Sequence, residues 1–122
     1  LHRIAIKPLS TNEAWKGRRF KTPEYKTFDR VLTALLPRGI KIPDGDLMIT
    51  FVFGLSNGGA DYDNCIKQAQ DVIARKYGFN DSRITHAVIH KVRTEKGCEY
   101  IRFRIEAANP FLEIPLLGEA RA

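Results

Sequence analysis

Cysteine is scarce in this chain: Cys65 and Cys98 are its only two. Two cysteines in a chain of this size build neither a disulfide framework nor a zinc site. They read as reduced cytosolic thiols packed as small apolar groups. No apolar run approaches the roughly 20 residues needed to span a bilayer, so no membrane partner is expected. The first residues lack the charged-then-apolar pattern of a secretion signal, and a cytoplasmic location is expected. Internal repeats, low-complexity segments and interdomain linkers are also missing. What is present is 122 residues, 43% hydrophobic and 28% charged. That is an ordinary globular composition and enough chain for a single domain, 1–122, with one core.

The net charge of +6 is unevenly placed. Residues 1–41 carry ten Lys/Arg against Glu13, Glu24 and Asp29, a balance of +7; the remaining 81 residues carry ten basic against eleven acidic side chains, a balance of −1. A basic N-terminal third suggests a polyanionic partner, because Lys and Arg gain affinity by releasing phosphate counterions. A solvated basic surface is the competing explanation.

Periodicity predicts the order strand, helix, strand, helix, strand, strand. His2 to Ile6 is a short strand, and Pro8 to Lys21 a long polar and basic loop. Thr22 caps a helix that Pro23 opens and Pro37 stops, with Tyr25, Phe28, Val31, Leu32, Leu35 and Leu36 as its apolar stripe. Leu47 to Leu55 alternates as a strand and runs into Ser56-Asn57-Gly58-Gly59. A second helix spans about Asp63 to Tyr77, turning Ile66, Ala69, Ile73 and Tyr77 to the core, with Gly78 as a left-handed cap. Ile84 to Arg93 and Glu99 to Ala107 are two more strands, which the short Glu95-Lys96-Gly97 turn would join as an antiparallel hairpin. The expected fold is α/β in the α+β sense, a small mixed sheet of about four strands with two packed helices. From about residue 108 the chain ends in an apolar tail, with Phe111, Leu112, Ile114, Leu116 and Leu117 broken by Pro115. It should dock on its own domain or on a partner.

The segment that carries chemistry is Asp61-Tyr62-Asp63-Asn64-Cys65-Ile66-Lys67, followed by Asp71 and by Gly78-Phe79-Asn80-Asp81. In extended backbone, residues two apart point the same way, so Asp61 and Asp63 can converge on one ion. Asp63 could instead be a helix N-cap. Lys67 and Asp71 follow at one-turn spacings, which a simple ladder of solvated ion pairs would also explain. Three carboxylates without a His or Cys nearby favour a hard ion, Mg²⁺ or Mn²⁺.

The run Asp61-x-Asp63-Asn64-x-x-Lys67-x-x-x-Asp71, then Gly78 and Asp81, resembles the signature of the RusA family of Holliday-junction resolvases. The N-terminal stretch is similar to the family's phage-associated members. There Pro8 and Asn12 precede Trp15, and Gly17-Arg18-Arg19 leads into Thr22 and Tyr25. The likeness covers about Pro8 to Ile105 and leaves out the tail. Where the family usually shows Asp-Asp, this chain has Asn80-Asp81, keeping the second of the pair. Where some members carry arginines before the first aspartate, it has Asn57-Gly58-Gly59-Ala60. The resemblance implies metal-binding aspartates at Asp61, Asp63 and Asp81 and a catalytic lysine at Lys67. It further implies Mg²⁺ as cofactor (Mn²⁺ as a substitute), four-way-junction DNA as substrate, nicks with ligatable ends and a bacterial, phage or prophage source.

That chemistry suits the residues. A metal between the carboxylates would polarise the phosphate, and the Lys67 charge would stabilise the developing negative charge. Arg18, Arg19 and Lys21 are the candidate DNA contacts, with Trp15 able either to stack on a base or to pack under the loop. His86 and His90 share a strand face with Ile84, Val88 and Val92 and stand too far apart for one ion, so they read as structural. Arg102 and Arg104 alternate outward beside Tyr100, as phosphate contacts or as a solvated face. A two-fold junction needs two symmetric nicks, and one site per chain makes a homodimer the natural assembly. The competing expectations are a catalytically weak branched-DNA-binding module and a flap or fork nuclease.

Overall fold

The computed structural model describes residues 1–17, 20–57 and 62–109. They form a mixed α+β fold. Three strands lead or interleave with helices: β1 (His2–Ile4), α1 (Thr11–Ala14), the two-stranded ribbon β2 (Trp15–Lys16) and β3 (Phe20–Lys21), then α2 (Pro23–Leu35). After them come β4 (Leu47–Leu55), α3 (Ile66–Tyr77), β5 (Ile84–Arg93) and β6 (Tyr100–Ala107). Short 3-10 turns at Tyr62–Cys65 and Asp81–Arg83 flank α3.

Local chemistry sets the helix ends. The Thr22 hydroxyl accepts from the Tyr25 N–H at 3.2 Å, and Pro23 occupies the first turn. Leu36 is already extended, as the residue before Pro37 must be. Gly78 closes α3 at φ 72°, ψ 36°, a left-handed cap that lets the Phe79 N–H reach the Ala74 carbonyl at 3.0 Å. Ser10 caps α1: its hydroxyl accepts from the Glu13 N–H and donates to the Glu13 carboxylate at 3.1 Å. So the Pro8 to Lys21 stretch, expected as loop, holds a helical turn and a ribbon.

The four-stranded sheet has the order β1-β6-β4-β5. β4 runs antiparallel to β6 and parallel to β5. The expected hairpin between β5 and β6 therefore does not form, because β4 lies between them. β4 is the most apolar strand, buried at Leu47, Ile49 and from Phe51 to Leu55, and such a strand needs a neighbour on each side. The Thr94–Glu99 connection is long enough to hop over its end, with the Thr94 N–H bonded to the Leu55 carbonyl at 3.0 Å.

The core lies on one side of the sheet. Leu47, Ile49, Phe51, Phe53 and Leu55 of β4 meet Ile101 and Phe103 of β6, Tyr25, Phe28 and Leu32 of α2, and Ala69, Val72 and Ile73 of α3. Truncating a ring such as Phe51 or Phe103, both fully buried, would cost about 3–5 kcal/mol. Val31 and Leu35, expected in the α2 stripe, stay exposed on its flank. On β5, Leu47 pairs with Ile84 but Met48 pairs with His86, leaving Thr85 as the extra residue of a bulge. The bulge puts Ile84 against the core while His86, Val88, His90 and Val92 turn to the opposite face. The apolar tail lies outside the described residues. Among those residues no helix is long and apolar enough to cross a membrane.

Candidate functional site

The acidic turn sits at the exit of β4. Asp63 is exposed in the 3-10 turn Tyr62–Cys65; Asp61 lies outside the described residues. Asp63 is not the cap of α3: Cys65 holds that position, with no side-chain capping bond. A buried polar clamp secures the turn. Gln68 is fully buried on the first turn of α3. Its amide donates to the carbonyls of Leu9 at 2.8 Å and Asn64 at 2.7 Å, and the Thr11 hydroxyl donates to the Asn64 carbonyl at 3.0 Å. The chain before α1 is thereby locked onto the residue following Asp63. Sequence reasoning misses Gln68, because a lone Gln in an amphipathic helix carries no signal of burial.

It misses Glu13 as well, although the capping-box spacing from Ser10 is readable. Burial, then the charges of Glu13 and Asp63, push the Cys65 thiol up to about 11. Both carboxylates thus act on one buried group, and α1 packs against the acidic turn. Cys65 is buried as expected, but Cys98 is exposed in the connection to β6. Lys67 projects from α3 with its side chain 64% exposed and pairs with Asp71 at 3.4 Å. Asp63 makes no ion pair with it.

Asp81 stands elsewhere. Its 3-10 turn is tied to the entry of β4, where the Arg83 guanidinium donates to the carbonyls of Gly45, at 3.0 Å, and Pro43. β4 and β5 are parallel and α3 returns between them, so Asp63 and Asp81 lie at opposite ends of the sheet. The nine residues of β4 separate those ends by about 26 Å, and the twelve of α3 by about 18 Å. Among the described residues no three His, Cys, Asp or Glu side chains gather where they could hold a metal. The described residues of one protomer therefore do not fit a three-carboxylate Mg²⁺ site.

Arg18 and Arg19 lie outside the described residues. Lys21 is exposed on β3 with its ammonium 4.8 Å from the centre of the Tyr25 ring, a cation–π contact. Trp15 packs edge-on against the same ring at 5.3 Å, which assigns it to packing under the ribbon. Phe20, on the ribbon, is 71% exposed. A groove of about 410 Å³ runs between Ile6–Leu9 and the first half of α2 and is mainly apolar. Of the acidic residues near the turn, only Glu13 reaches it.

The fold and site thus define a small α+β protein with a mixed sheet, carrying an acidic turn and an exposed lysine at one end of its central strand. No protein-family model and no curated protein matches this chain.

Proposed function

We propose that this protein is a Mg²⁺-dependent endonuclease that cuts branched DNA as a homodimer, with each active site shared between two copies. The observation that carries the reading is the placement of Asp63 and Asp81 at opposite ends of β5. β5 is a ten-residue strand at the edge of the sheet, paired with β4 alone among the described strands, with Val88 and Val92 about 40% exposed. An open edge of that length invites pairing with another strand. If two copies pair β5 to β5 across a two-fold axis, the strands run antiparallel. The start of one β5 then falls beside the end of the other, which brings Asp81 of the second copy toward the acidic turn that holds Asp63 of the first. Two such sites arise per dimer, the number that symmetric incision of a four-way junction requires.

Held by that cluster, Mg²⁺ would supply the charge that polarises the scissile phosphate. Lys67, one turn beyond the acidic turn, would stabilise negative charge building on the phosphate oxygens or leaving group. Arg18, Arg19 and Lys21 would grip the DNA backbone.

Mixing two inactive variants, Asp63→Asn and Asp81→Asn, tests this reading. In a shared site, a mixed dimer combines the intact Asp63 of one chain with the intact Asp81 of the other. Half of randomly assorted dimers then hold one good site of two, so the mixture should recover about a quarter of wild-type nicking on a labelled four-way junction. Each variant alone should be inactive. If the mixture stays inactive while both variants fold and bind DNA, the shared site is wrong. If either variant alone cleaves at the wild-type rate, that residue is no ligand.

A second reading, a DNA-binding module without catalysis, is favoured by the Lys67–Asp71 ion pair, which gives the lysine a purely structural partner. Metal-dependent nicking by the wild-type chain would exclude it.

A further inference from the structure

We infer that the open face of the sheet, away from the helices, is a docking surface for the phosphate backbone of duplex DNA. α2 and α3 pack on the other face, and α1 and the ribbon pack on the helices. Val52 and Tyr100 are each only 8% exposed yet stand outside the core cluster, which marks the second face.

Strand register gives that face its rows. His86, Met48 and Glu106 form one, and Val88, Thr50 and Arg104 the next. His90, Val52, Arg102 and Arg3 follow, then Val92, Gly54 and Tyr100. Three arginines and two histidines therefore share the face with a single carboxylate. Glu106 pairs with Arg104 at 3.3 Å but leaves it 53% exposed. Arg102 makes no ion pair among the described residues. The Arg3 guanidinium lies 4.3 Å from the centre of the Tyr100 ring. That ring also fills the space where Gly54 lacks a side chain: a Cβ there would come within 2.4 Å of it.

This arrangement selects among polyanions and other partners. The one ring of a Phe, Tyr or Trp in these rows is covered, which leaves only the small His86 and His90 imidazoles, a poor platform for a run of unstacked bases. Spaced guanidiniums without an exposed Phe, Tyr or Trp ring suit the regular phosphates of a duplex. A second copy of the same face is disfavoured, since a two-fold contact would set arginine against arginine. The choice of DNA over RNA rests on the nuclease reading; the phosphate contact itself does not.

The test measures affinity of the full chain for a labelled duplex of about 20 base pairs across a salt series, with chelator present so that no cleavage occurs. Arg102→Ala with Arg104→Ala should weaken binding about tenfold and lower the salt slope by about 2, one unit for each phosphate no longer neutralised. Arg102→Lys with Arg104→Lys should retain most of the affinity, which separates charge from folding. The charge-matched pair Lys26→Ala with Arg30→Ala, exposed on α2, should change little. Equal losses from both alanine pairs, or no loss from the first, would overturn the docking face. Tighter binding to an RNA duplex of the same sequence would overturn the DNA assignment. In an Asp63→Asn background the loss on removing Arg102 and Arg104 should be the same as in wild type, so a failed active site and a failed docking face give different results.

Discussion

Lys67 shows how one side chain can serve two roles that a static contact does not separate. Its ion pair with Asp71 is exposed, and such a pair contributes about 0.5 kcal/mol. Lys67→Ala should therefore barely move the urea midpoint. If the ammonium also stabilises charge on the reacting phosphate, the same change should lower the single-turnover cleavage rate about a hundredfold or more. Asp71→Asn is the control: it removes the ion pair, keeps the lysine and should leave the rate near wild type. Equal rates for wild type and Lys67→Ala would confine the lysine to the ion pair. The two thiols show the power of context in the same way. Cys65 is buried beside two carboxylates and held protonated at neutral pH, while Cys98 lies open in a loop.

At the scale of elements, α2 and α3 are clamped at two points. The Tyr77 hydroxyl donates to the Pro37 carbonyl at 2.6 Å, and Arg75 grips Asp29 with both terminal nitrogens. The hydrogen bonds from Arg75 hold the Asp29 carboxyl below its ordinary value of 3.8. A carboxyl depressed by folding stabilises the native state above its unfolded pKa and loses that contribution as pH falls through the folded one. Asp29→Asn should therefore cost about 1 kcal/mol at neutral pH, the upper range for a surface pair, since Arg75 is half exposed while Asp29 is mostly covered. The gap between variant and wild type should narrow below pH 3.8. Urea unfolding at neutral pH and at about pH 3 reads both. A gap unchanged in acid would mean that the variant acts through packing alone.

For the whole molecule, the decisive element is the open edge of β5. If two copies pair there, light scattering at micromolar concentration should give twice the 13.9 kDa chain mass. A supercoiled cruciform should then be linearised within one binding event. A monomer that accumulates nicked circles would reject the dimer and favour a flap or fork nuclease, for which one incision suffices.

Much of this was legible in the chain. The bounds of α2, β4 and β5 followed from Thr22-Pro23, Pro37 and the alternation of Leu47–Leu55 and Ile84–Arg93, because capping chemistry and side-chain period act over a few residues. The one-turn pairing of Lys67 with Asp71 could be read for the same reason. Three things could not. The partner of β5 depended on which strand was apolar enough to need two neighbours, a competition among distant segments. The face of Ile84 depended on a one-residue bulge, which shifts the register without altering the pattern before or after it. The distance between Asp63 and Asp81 depended on α3 running back along the sheet. Sequence alone determined the main helices and the long strands; only the tertiary structure decided which ends of those elements meet, because strand order and direction arise from burying the whole core at once.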